Sequence, residues 1–182
     1  MEARDGKPGH ARKGIAGVGA NESRDALTFV AWSRVWSPLV PPAWRREAWE
    51  ALGLLGSFEE LEADYWRTFH FGVPAPAMPL LLHAALGRDG GGVREDWMRI
   101  LHFLELRWEG PTLPPDHLGP ACEALAVALE NDDPILAGEL RDRYLVPWCR
   151  VARARLAREG GGLTELAVSF EADLLSLATA SG

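Results

Sequence analysis

Residues 110–129, GPTLPPDHLGPACEALAVAL, place three prolines, an Asp-His pair and a Gly-Pro step directly before an apolar run of helical period. Leu118, Cys122, Leu125 and Leu129 recur at the spacing of one helix face. Pro114 and Pro115 force the chain to arrive extended, because a residue preceding proline is driven out of the α region. Pro120 fits only in a first turn, where its missing N–H removes no intrahelical bond. The helix is therefore expected to begin near residues 116–118. That puts Asp116 at or beside the N-cap, with its carboxylate accepting orphan N–H groups at the positive helix end. His117 is then expected to pack or to hydrogen-bond.

The same period extends in both directions. RDALTFVAWSRVW sets Phe29, Trp32 and Trp36 on one face, and Pro38, Pro41 and Pro42 close it. The next helix opens near Pro42 and is expected to turn Trp44, Ala48, Leu52 and Leu55 inward. SFEELEADYWRTFHFG carries a capping box, Ser57 with Glu60, and a stripe of Phe58, Leu61, Tyr65 and Phe69 ending at Gly72. A short helix runs to about Gly87. VREDWMRILHFLELRW lines up Val93, Trp97, Ile100, Leu101, Leu104 and Trp108. Asp132 or Asp133 before Pro134 starts a helix with Ile135, Leu136, Leu140 and Tyr144, and Pro147 should kink or restart it before Trp148. Glycines 160–162 break the chain, and Thr164 is expected to cap a last helix with Leu166, Phe170, Leu174 and Leu177. No strand pair and no internal repeat is found. The expectation is one all-α domain over residues 24–182, a multi-helix bundle, preceded by a flexible tail at 1–23.

A chain of 182 residues is long enough for one well-buried domain and short for two. Eight tryptophans are enough to supply much of the core and to leave some for a surface groove. The formal net charge of −7 is uneven. Residues 1–24 carry five basic and three acidic groups, or +2, which leaves −9 on the body. An acidic body argues against nucleic acid as the main partner and suits a basic peptide. Two cysteines, Cys122 and Cys149, do not make a disulfide framework and are expected to be reduced and packed, as in the cytoplasm. No apolar run reaches transmembrane length, and the N-terminal stretch lacks the apolar core of a secretion signal.

For chemistry, Asp116 and His117 are neighbours in sequence and would need a third group and a nucleophile to form a triad, and no GxSxG or HExxH motif is present. A metal would need further ligands, and His70, His83 and His102 sit on separate helices. No catalytic residue, metal ligand or cofactor is assigned, and the chain is read as a non-enzyme.

On those residues, PPDHLGPACEALAVAL resembles the P-x-D-H-[LF] signature of the TorD/DmsD/NarJ family of redox-enzyme maturation chaperones. DYWRTFHFG, GVREDWMRILHFLELRWEG and ELRDRYLVPWCRVARARL are similar to further pieces of that family, in its order, and the likeness spans residues 24–178. The resemblance implies a TorD-like all-helical fold and a cytoplasmic chaperone. It also implies a client: the catalytic subunit of a molybdopterin-containing oxidoreductase, bound through its twin-arginine leader or N-terminal segment. Carried over by position, it assigns client binding to Pro114, Asp116, His117, Leu118 and Gly119 in the signature, and to Tyr65 and Phe69 in the aromatic segment. Ala121 stands where the family has an acid, while Glu123 stays acidic. Thr68 replaces a common leucine, and His83 falls where aromatics are frequent.

The residues fit that role physically. An arginine pair needs carboxylates, and Asp116, Glu123, Glu130, Asp132, Asp133, Glu139 and Asp142 gather in the second half. The apolar part of a leader needs a groove, which Tyr65, Phe69, Trp108 and Trp148 are expected to supply. The expected partners exclude nucleic acid and direct membrane insertion, and the state is monomer or dimer. Two other readings stay open: a helical assembly subunit retained in a respiratory redox complex, and a hydrolase using Asp116 and His117 with a metal.

Overall fold

The computed structural model describes residues 18–107, 111–159 and 162–177. The fold is all-helical, as expected. In chain order the helices are α1 (Val18–Trp36), α2 (Pro42–Ala51), α3 (Phe58–Phe69), α4 (Leu82–Leu86), α5 (Gly90–Phe103), α6 (Leu118–Glu130), α7 (Pro134–Leu140), α8 (Val146–Glu159) and α9 (Leu163–Ser176). A wide π-turn, Arg141–Leu145, joins α7 to α8 without a break. It ends two residues before Pro147, whose missing N–H removes one rung of an α ladder, so the expected disturbance takes the form of a widened turn and the helix continues.

Helix α6 is the centre of the bundle. It is apolar almost all round, and residues 118–122, 124–126 and 128 are buried. A helix of that kind must be surrounded. Its most extensive partner is α1. Alanines 121, 124, 126 and 128 keep its surface low, so neighbouring backbones come close. Gly119 lies against Ser37 at the far end of α1, so the two helices run antiparallel. Around this pair the aromatic residues interlock. Trp36 meets Trp32, Phe69, Trp148 and Phe170 at centroid separations of 5.3–5.6 Å, drawing α1, α3, α8 and α9 onto one cluster.

Several local expectations are corrected. Helix α1 starts at Val18, so residues 18–23 are helical and not part of a flexible tail; residues 1–17 of that tail lie outside the described residues. Helix α2 presents Arg45, Ala48 and Trp49 to the core, whereas Trp44 and Leu55 are exposed. The reason is Arg45. Its guanidinium donates to the carbonyl of Ser37 at 2.7 Å and lies over Phe58 and Trp66 at 5.1 and 5.2 Å, so a cation takes the inward position. Ile135 is exposed, and Thr164 lies inside α9, whose N-cap is Gly162.

Candidate peptide-binding site

The opening stretch is best understood as an accounting problem. The start of a central helix is buried, so its free N–H groups cannot turn to water. Leu118 N–H donates to the carbonyl of Leu80 at 2.9 Å. Gly119 N–H donates to His117 Nδ1 at 3.1 Å. Pro120 has no N–H to place. Ala121 N–H reaches the carbonyl of His117 at 3.1 Å and begins the regular ladder. In return Leu82 N–H donates to the carbonyl of Asp116 at 2.9 Å, so the extended PPDH segment makes a one-residue antiparallel bridge, Leu81 to His117.

The N-cap is therefore His117, and Asp116 is not the cap. This corrects the sequence expectation, and the reason lies across the fold. The fully buried Asp116 carboxylate is occupied by other elements: Oδ2 accepts from His83 Nδ1 at 2.5 Å and from the His83 N–H at 3.2 Å, and Oδ1 accepts from Arg94 Nε at 3.4 Å. One carboxylate thus ties the start of α6 to α4 and α5. The Asp-His contact that matters pairs residues 33 positions apart, and spacing along the chain gave no hint of it.

His117 stacks on His70, with 6.5 Å between ring centroids, and His70 Nε2 lies 3.3 Å from the Tyr65 hydroxyl. Tyr65 donates to the carbonyl of Val35 at 2.7 Å. Burial holds both histidines well below the usual 6.5, to about 4; for His117 the neighbouring His70 adds to the effect and Asp116 opposes it, and for His70 the Arg45 charge adds. With Nδ1 accepting from Gly119, neutral His117 carries its proton on Nε2. Burial also pushes the Tyr65 phenol and both thiols up, so these groups stay protonated.

Among the expected contact residues, Tyr65, Phe69, Asp116, His117, Leu118 and Gly119 are all buried. They shape the architecture and present no surface. Pro114 is exposed, and Glu123 lines a cavity. Of the expected groove aromatics, Tyr65, Phe69 and Trp148 belong to the core, and Trp108 lies outside the described residues. Among the grouped acids, Asp116 is held as above, Asp133 caps α7 through Leu136 N–H, and Asp142 pairs with Arg141.

The open groove lies elsewhere, between α1 and the outer face of α6. It encloses about 550 Å³. Ala26, Leu27 and Val30 of α1 and Ala126, Val127 and Leu129 of α6 make its apolar floor, and Trp44 closes one wall. Trp44 is half-exposed, with Arg34 over its ring at 5.6 Å. Glu123 and Glu130 line it seven residues apart, two turns along the same side of α6, or about 10 Å. Sequence reasoning missed Leu27, Val30 and Trp44 because nothing in a helical stripe marks which apolar residues are left uncovered. Among the described residues no group of three metal-ligating side chains exists, and no helix is long and apolar enough to cross a membrane. Comparisons with protein-family models, with curated proteins and with solved structures find no match to this chain.

Proposed function

We propose that this protein is a chaperone that receives a basic, apolar leader segment in the α1–α6 groove and holds its owner until maturation is complete. The observation that carries this reading is the pairing of an apolar floor with two carboxylates on one rim. Such a trough matches a segment in which an arginine pair precedes an apolar run. Each arginine–carboxylate bond is directional and contributes roughly 1.5–3 kcal/mol when partly shielded. The floor adds burial of the apolar run. The client suggested by the PPDHL resemblance is the catalytic subunit of a molybdopterin oxidoreductase, met in the cytoplasm through its twin-arginine leader. In that role Asp116 and His117 are positioning residues: they fix the start of the helix whose far side forms the rim.

The test is capture of partners from the source cells on tagged protein, with the Glu123→Gln, Glu130→Gln double variant run beside it. An immature molybdoenzyme subunit with its leader attached, depleted in the variant, is the expected result. A mature multi-subunit complex held in fixed stoichiometry, or no redox enzyme, overturns the reading.

A further inference from the structure

The α1–α6 groove has unlike ends. Gly119 lies against Ser37 and the helices are antiparallel, so Glu130, eleven residues further along α6, stands level with Ala26, eleven residues back along α1. Ala26, Val30 and Arg34 recur every fourth residue along one side of α1, and all three line the groove. Eight helical residues, about 12 Å, separate the level of Glu130 from Arg34. One end thus carries a carboxylate and the other a guanidinium, with Val30, Val127 and the neighbouring apolar floor between them. Arg34 is held at its end by Trp44, over whose ring its Cζ lies at 5.6 Å. An aromatic face positions a guanidinium without consuming its N–H donors. Among the described residues, neither Arg34 nor Glu130 forms an ion pair within the protein. Glu123 already has an interaction of its own and is left out of the pairing.

A peptide that fills such a groove must itself differ from end to end. A space of about 550 Å³ admits side chains but not a whole helix, which is about 10–12 Å across, so only one face of a helix can enter. Two helical turns present about three or four apolar side chains on that face and run about 11 Å, close to the separation of the charged ends. The free N–H groups of such a helix lie at one terminus and its free carbonyls at the other. A basic pair ahead of the apolar run opposes the helix dipole, so the segment is a poor helix in water. Beside Glu130 that conflict is relieved, and Arg34 meets the carbonyls of the last turn.

We infer that the groove takes its peptide as a short helix in one direction, parallel to α1, with the basic N-terminal end at Glu130 and the C-terminal carbonyls at Arg34. This rests on reading the groove as a site for a basic, apolar segment, and it makes Arg34 the residue that selects direction. The favoured ligand is basic, then apolar, then neutral or acidic. A segment basic on both sides of its apolar run meets a like charge at Arg34 and is turned away.

The test titrates labelled peptides of one composition into the full-length protein. One has an arginine pair before about eight apolar residues, or two helical turns; the other has the reverse order, and both are blocked at their termini. The first is expected to bind about fivefold more tightly, with the carbon chemical shifts of its apolar run moving to helical values on binding. In Arg34→Gln the preference for order is expected to vanish, and Arg34→Lys is expected to keep part of it. A loss that acts only through the packing of Trp44 would weaken both peptides alike. In the wild type, a glutamate added after the apolar run is expected to strengthen binding about threefold, an effect absent in Arg34→Gln. Equal affinity for the two orders, a preference that survives Arg34→Gln, or a bound peptide without helical shifts overturns the inference and leaves the groove's role standing. Binding of neither peptide takes the groove reading down with it.

Discussion

The two ends of α6 use polar groups in opposite ways. At the N-terminal end Asp116 and His117 are buried, and their acceptor atoms are met by α4, α5 and the helix's own first turn. From the middle of the helix to its C-terminal end, Glu123 and Glu130 line an apolar trough. The unusual residues, prolines and an Asp-His pair, hold the helix in place. The ordinary ones, leucine, valine and glutamate at helical spacing, make the surface that something can touch. A helix whose start is sunk in the core needs special chemistry there because no water is at hand, whereas a recognition surface needs only residues left uncovered.

Asp116→Ala attacks the buried end and should have the largest effect. It strips His83 and Arg94 of their shared acceptor and is expected to cost about 3 kcal/mol in urea unfolding, with peptide affinity of the folded protein nearly unchanged. A large loss of affinity without a loss of stability would reverse the assignment of the two ends.

Acid probes the same end more gently. His70 and His117 resist protonation down to about 4 in the fold, whereas in the unfolded chain they take up protons near 6.5. The unfolded state therefore binds more protons between these values, and stability should fall as the pH drops from about 6.5 to about 4. His117→Asn keeps a capping acceptor and removes one titrating ring. It should flatten that fall by on the order of 2 kcal/mol, read from melting temperatures across the window. Identical pH profiles would remove His117 from the account.

The open end is broken by charge removal. Glu123→Gln with Glu130→Gln should weaken binding of an arginine-pair peptide about tenfold or more, read by titration of the labelled peptide into the folded variant. Trp44→Ala should be mildest, about threefold in affinity, through the lost wall and its contact with Arg34.

The sequence showed the helices well because apolar period and capping chemistry are local. The Ser57–Glu60 box, Pro42 at the first position of α2 and Asp133 before Pro134 all fall where the pattern places them. Facing was harder. Trp44 and Leu55 look inward in a stripe count but are displaced by Arg45, whose cation is stabilised by aromatic rings that arrive from α3. The candidate site was legible only in part. Glu123 was marked by its charge and Asp116 by its setting, yet the partner of Asp116 is His83 on a distant turn, and the groove floor is the part of α1 and α6 that their neighbours leave uncovered. Both are properties of packing, and no short window of sequence contains them.

The wide turn at Arg141–Leu145 also bears on how this helix reads as text. A π-turn spends one more residue than an α-turn on the same advance, and each residue is worth about 100° of rotation in a regular helix. Every side chain from Val146 onward is thereby turned by that angle relative to α7. Trp148 consequently points its indole N–H at the carbonyl of Pro79, at 3.1 Å. A protein built on the same plan but with an unbroken helix would match this one up to Leu140 and again from Val146, with a single-residue gap between. Without that gap, its inward stripe would appear displaced by a little over a quarter turn.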